Sequence, residues 1–177
     1  MPAAYCLVRA NRFAPVVIST AMTEHQKHTE SMLKNVIETL HDGHKGMAEI
    51  GEHLKDPRAK DFFLQESLTR QQFAGELAEE MRRLGEHDAV KDGEIGGTAS
   101  GAMHRVWGDL KAKLGGGDHT LLETAEQGED AAKDAYKKAL EYAHLPSDIR
   151  EILMRQQAHI LASHDKVKAL RDAKKAA

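Results

Sequence analysis

The sequence predicts an all-α four-helix bundle with a long helical crossover between the second and third bundle helices. Three observations carry this reading. Aromatic residues make up only 5% of the 177 residues and there are 4 prolines, too few aromatic and turn-forming positions for a β-sandwich or barrel. The abundant residues are Ala, Leu, Glu, Lys, His, Gln and Met, most of them good helix formers. Four long segments repeat apolar residues at alternating steps of three and four, the period of a helix with one buried face.

The first segment runs from about Ser31 to Leu54, with a stripe of Leu33, Ile37, Leu40, His44, Met47, Gly51 and Leu54. Asp56-Pro57 then ends one helix and starts the next, since Asp caps free N–H groups and Pro suits the first helical position. The second segment reaches Leu84 and stops at Gly85, with Phe62, Glu66, Phe73, Leu77, Met81 and Leu84 on its stripe. The third starts near Asp118, where Thr120-x-x-Glu123 has the spacing of a capping box. Its stripe is Leu122, Ala125, Glu129, Ala132, Tyr136 and Ala139. Leu145-Pro146-Ser147 breaks the chain again. The fourth stripe is Ile149, Leu153, Gln156, Ile160, Ser163, Val167 and Leu170, and the basic tail suits a helix C-terminus. Met32, Met47, Met81, Met103 and Met154 are expected to fill the core.

The short links at Asp56 and Leu145 make two antiparallel hairpins. Between the hairpins, 86–97 is polar and Gly-rich and Thr98–Leu114 reads as a shorter helix that Trp107 docks onto the bundle. At 1.5 Å per residue that helix covers about 25 Å, most of the bundle's length. The link therefore returns the chain to the end it left, so the second and third bundle helices run parallel, as in ferritin-like folds. Residues 1–28 read as a leader, 29–173 as the bundle with its crossover at 86–117, and 174–177 as a tail.

Composition excludes several functions. The net charge is −3, from 25 basic and 28 acidic residues, which supplies no field for nucleic acid. No apolar run is long enough to span a membrane. Near the N-terminus the run from Phe13 to Ile18 is short, holds Pro15 and precedes no small-x-small cleavage site, so a cytoplasmic compartment is expected. The single cysteine, Cys6, excludes an internal disulfide and a thiolate zinc cage. No phosphate loop or nucleophile elbow is present, and no organic cofactor is indicated.

Each stripe carries one polar interruption: His44, Glu66, Glu129 and Gln156. A buried carboxylate without a partner costs several kcal/mol. With the Asp56 end as the floor, His44, Glu66 and Glu129 lie at similar heights, as do His159 and His164, while Gln156 falls about a turn higher. Glu126 lies one turn from Glu129. Glu66, Glu126, Glu129, His44, His159 and His164 are thus candidate ligands for Fe, Mn or Zn. The other reading is an architectural polar layer, with Glu66 paired to Arg70 and Glu129 to Lys133, each one turn on. Glu38-x-x-His41 puts both side chains on one face beside the stripe and is read as a solvated edge.

From Met32 to Asp172 the sequence resembles the bacterial DUF2383 family. The carrying segments are 33–43 (LKNVIETLHDG), 71–77 (QQFAGEL), 82–85 (RRLG), 97–107 (GTASGAMHRVW), 126–130 (EQGED) and 164–172 (HDKVKALRD). The resemblance implies a ferritin-like fold and assigns no chemistry. Ferritin-like di-iron sites use Glu-x-x-His on two helices and a Glu on each of the others. Here the corresponding positions are Glu66-x-x-Thr69, Glu126-x-x-Glu129 and Gln156-x-x-His159, which departs from a two-metal site. Two functions follow: a metal-binding bundle in a stress or redox role, or a non-enzymatic structural or interaction protein, either of them able to form homo-oligomers.

Overall fold

The computed structural model describes residues 23–85, 110, 114, 115 and 117–175. The regular elements within this range are four α-helices: α1 (Glu24–His53), α2 (Pro57–Arg83), α3 (Gly117–Glu141) and α4 (Ser147–Lys175). Most of the crossover, including Trp107 and Met103, lies outside the described residues. Leu110 is helical and buried at the lower end of the bundle. Among the described residues no helix is long and apolar enough to cross a membrane.

Helix α1 begins seven residues before Ser31, where the apolar stripe starts. Thr23 caps it: its hydroxyl accepts from the Gln26 amide at 3.2 Å and Gln26 Oε1 accepts from the Thr23 amide at 2.8 Å. This reciprocal pair is a capping box, at a place where the first turn is too polar to show periodicity. Asp56 caps α2 as expected, accepting from the Arg58 and Ala59 amides at 2.9 and 3.3 Å ahead of Pro57. Gly85, with φ +100°, follows the end of α2 in the left-handed conformation that Gly tolerates. Thr120 does not stand at the helix start, where its spacing predicts a capping box. Helix α3 starts at Gly117, which puts Thr120 inside its first turn.

Contacts between helix ends fix the directions. Asp118 at the start of α3 accepts from the Lys55 amide just after α1, at 3.2 Å, and pairs with Lys174 at the end of α4, also at 3.2 Å. Lys174 also lies 3.9 Å from Asp56 at the start of α2. At the other end, His25 of α1 meets Tyr142 just beyond α3. Helices α1 and α4 therefore run down while α2 and α3 run up. Because α2 and α3 are parallel, the chain between 85 and 117 must return the full length of the bundle, which is the connectivity its length predicts.

Two apolar clusters fill the interior. The upper holds Leu33, Val36, Ile37, Leu40, Phe73, Leu77, Met81, Tyr136, Leu153 and Ile160 among others. The lower is built on Met47, Ile50, Phe63, Leu121, Leu122 and Val167. Phe63 rather than Phe62 is the fully buried member of its pair. Met154, expected in the core, is 56% exposed. It lies two residues, about 200° of helical rotation, from buried Gln156. Glu38, expected at a solvated edge, is buried. Desolvation, with Asp42 nearby, pushes its carboxyl above the usual range.

Candidate functional site

Between the two clusters all four helices contribute polar or small residues at one height: Gly43 and His44 from α1, Glu66, Ser67 and Arg70 from α2, Glu129 from α3, and Ser163 from α4. The centre of this layer is Arg70, only 2% exposed. Its Nη1 donates to Glu66 Oε2 at 3.0 Å, and its Nη2 donates to Glu129 Oε1 on the facing helix. Ser163 Oγ donates to the same Glu129 oxygen at 2.6 Å. His159 Nε2 sits 3.1 Å from both oxygens of Glu66. One guanidinium thus joins carboxylates from two helices, a planar donor matched to two acceptors.

The sequence folds this way because residues 66 and 70 are one helical turn apart on the same face. The stem of Arg70 then crosses α1 at Gly43, where a Cβ would stand 2.8 Å from Arg70 Cδ. Glycine at 43 makes the room for that side chain. Glu129 is fully buried, and among the described residues its Oε2 has no hydrogen-bond partner. Burial pushes the Glu129 carboxyl above the usual carboxylate range, against the opposing pull of Arg70 and Ser163.

A second polar pair lies above the first. Tyr136 Oη donates to Gln156 Oε1 at 2.8 Å, and Gln156 Nε2 donates to Glu76 Oε2 at 2.7 Å and to the Phe73 carbonyl at 3.3 Å. Gln156 is fully buried, at the height the sequence placed it. Burial raises the Tyr136 phenol well above its ordinary range.

Of the six candidate ligands, three meet: Glu66, Glu129 and His159, with Arg70 among them. The other three turn aside. His44 is at the right height, but its Nδ1 lies 2.9 Å from the Ser67 carbonyl oxygen and 2.8 Å from Ser67 Oγ, which donates to the His44 carbonyl at 2.8 Å. Ser67 is about 100° round α2 from Glu66, so the imidazole faces the α1–α2 seam and not the interior. Glu126 is bound to Arg171 of α4. His164 lies 3.2 Å from Asp130, 3.1 Å from Asp165 and 3.3 Å from Lys133. Lys133 pairs with Asp130 at 3.0 Å, not with Glu129 as expected.

A metal ion held between Glu66 and Glu129 would need the space and the lone pairs that Arg70 takes, so this donor set as arranged does not fit one. Among the described residues no group of three or more His, Cys, Asp or Glu side chains is arranged to hold a metal. Sequence reasoning paired Arg70 with Glu66 but missed its bridge to Glu129. The available signal was position 70 itself, which fills the gap in the second stripe between Glu66 and Phe73.

Residues 28–142 match the model of the family described as Domain of unknown function (DUF2383). No curated protein matches the chain.

Proposed function

Because this chain belongs to the DUF2383 family, we propose from the site itself that it is a non-enzymatic structural or interaction bundle. Its interior carboxylates are bridged by the protein's own guanidinium. The observation that carries this is Arg70 bonded at once to Glu66 and Glu129. Ferritin-like bundles place metal ions among carboxylates and imidazoles from facing helices; here a side-chain cation takes that role. It ties α2 to α3 across the bundle interior and fixes their register, the use of buried polar groups that is best attested. A cytoplasmic setting is part of the same proposal.

The test is elemental analysis of the full chain purified without a tag. The expected result is Fe, Mn and Zn far below one ion per chain, with a melting temperature unmoved by a chelator. Stoichiometric metal, lost in the Glu66→Ala/Glu129→Ala variant, would overturn the proposal and restore the metal-binding reading.

A further inference from the structure

The upper end of the bundle is closed by four aromatic rings, distinct from the buried layer. His25 lies in the first turn of α1, and its ring centroid is 4.2 Å from that of His144, with planes tilted by 38°. His144 belongs to the turn between α3 and α4. His25 Nδ1 is 2.8 Å from Tyr142 Oη. One turn further along α1, His28 rests 4.3 Å from the Tyr142 ring. Tyr142 meets His144 edge-on at 5.7 Å.

We infer that these rings form a pH-sensitive clasp, holding the start of α1 against the α3–α4 turn when the imidazoles are neutral and releasing it as they charge. Histidine is the side chain whose ordinary titration falls between pH 5 and 8. Neutral imidazoles stack favourably, whereas two imidazolium rings at 4.2 Å repel. The dipole of α1 acts in the same direction, since His25 sits at its N-terminal end, where cations are disfavoured.

Among the described residues, the surrounding charges make no ion pair with these imidazoles. On α1, Glu24 is paired with Lys27 at 3.1 Å and Glu30 with Lys34. The end of α2 carries Arg82 and Arg83, bound to Glu79 and Glu80. The end of α3 has Lys138 and Glu141, and the start of α4 has Asp148 and Arg150. Arg150 donates to the Leu140 and Tyr142 carbonyls at 2.9 and 2.7 Å, so the turn is held to α4 independently of the histidines. None of His25, His28 and His144 is in an ion pair among the described residues. Among the described residues, their protonation therefore adds positive charge that no carboxylate pairs with directly.

Amide hydrogen exchange on the full chain at pH 7.5 and 5.5, corrected for intrinsic rates, tests this. Protection over 27–32 should fall about tenfold at the lower pH, while 33–40 in the core holds. In His144→Gln, and separately in His25→Gln, the difference should shrink below twofold; both positions are exposed, so the core folds in each. Equal protection of 27–32 at the two pH values in the parent chain would overturn the inference. So would a tenfold difference that survives in both variants.

Discussion

Replacing Arg70 by Met removes the guanidinium and keeps most of the stem that lies against Gly43. Glu66 and Glu129 then face each other in an interior that is almost closed to water, with Ser163 the remaining buried partner and His159 the half-exposed one. Removing one member of a buried ion network costs about 3–5 kcal/mol, because the other charges stay buried without compensation. For a chain of this length, that corresponds to a fall in melting temperature of about 6–20 °C. The assay is urea unfolding followed by far-UV circular dichroism at pH 7.5, with stability taken by linear extrapolation at constant m. The triple variant Arg70→Met/Glu66→Leu/Glu129→Leu should recover most of the loss, since a wholly apolar replacement of a buried network is neutral or stabilising. A single variant within about 1 kcal/mol of the parent, or a triple variant no better than the single one, would refute the reasoning.

Three further outcomes follow from the same layer and its neighbour. Gly43→Ala should cost about 1–3 kcal/mol by driving a methyl into the Arg70 stem, while Gly75→Ala, where a methyl meets open space, should gain about 1 kcal/mol of helix propensity; urea unfolding measures both. Glu129 is held above its unfolded-state value of 4.5 by burial, so it binds its proton more tightly when folded. Its contribution to stability is therefore complete below that value and is lost as pH rises through the folded pKa; Glu129→Gln should flatten this part of the stability-against-pH curve. Tyr136→Phe should destabilise by about 1–3 kcal/mol, leaving Gln156 Oε1 buried without its donor, and thermal unfolding of the two chains reads the difference.

Particular residues show where the sequence was informative. Glu66, Glu129 and Gln156 interrupt otherwise apolar stripes, and all three are buried as that pattern requires. The crossover topology followed from chain length, because a link that long returns to the floor. Rotation about each helix was harder to read. His44, Glu126 and His164 sit near the correct height but point into inter-helix seams, where Ser67, Arg171 and Asp130 meet them. An error of one residue in helical phase turns a side chain by about 100°, enough to move it from core to seam. Arg70 was placed beside Glu66 only as a neighbour one turn on. A cation that reaches a second helix depends on Gly43 across the interface, and no periodicity within α2 shows that contact. The cap at Thr23 was missed because the first turn of α1 carries no apolar stripe.

The most direct measurement is low-temperature ¹⁵N NMR of the Arg70 side chain in the full chain, with and without added Fe, Mn or Zn. A guanidinium fixed between Glu66 and Glu129 gives separate, slowly exchanging Nη resonances that the metals leave unchanged. Averaged resonances exchanging freely with water, or signals displaced by one equivalent of metal, would contradict a protein cation at the centre of the bundle.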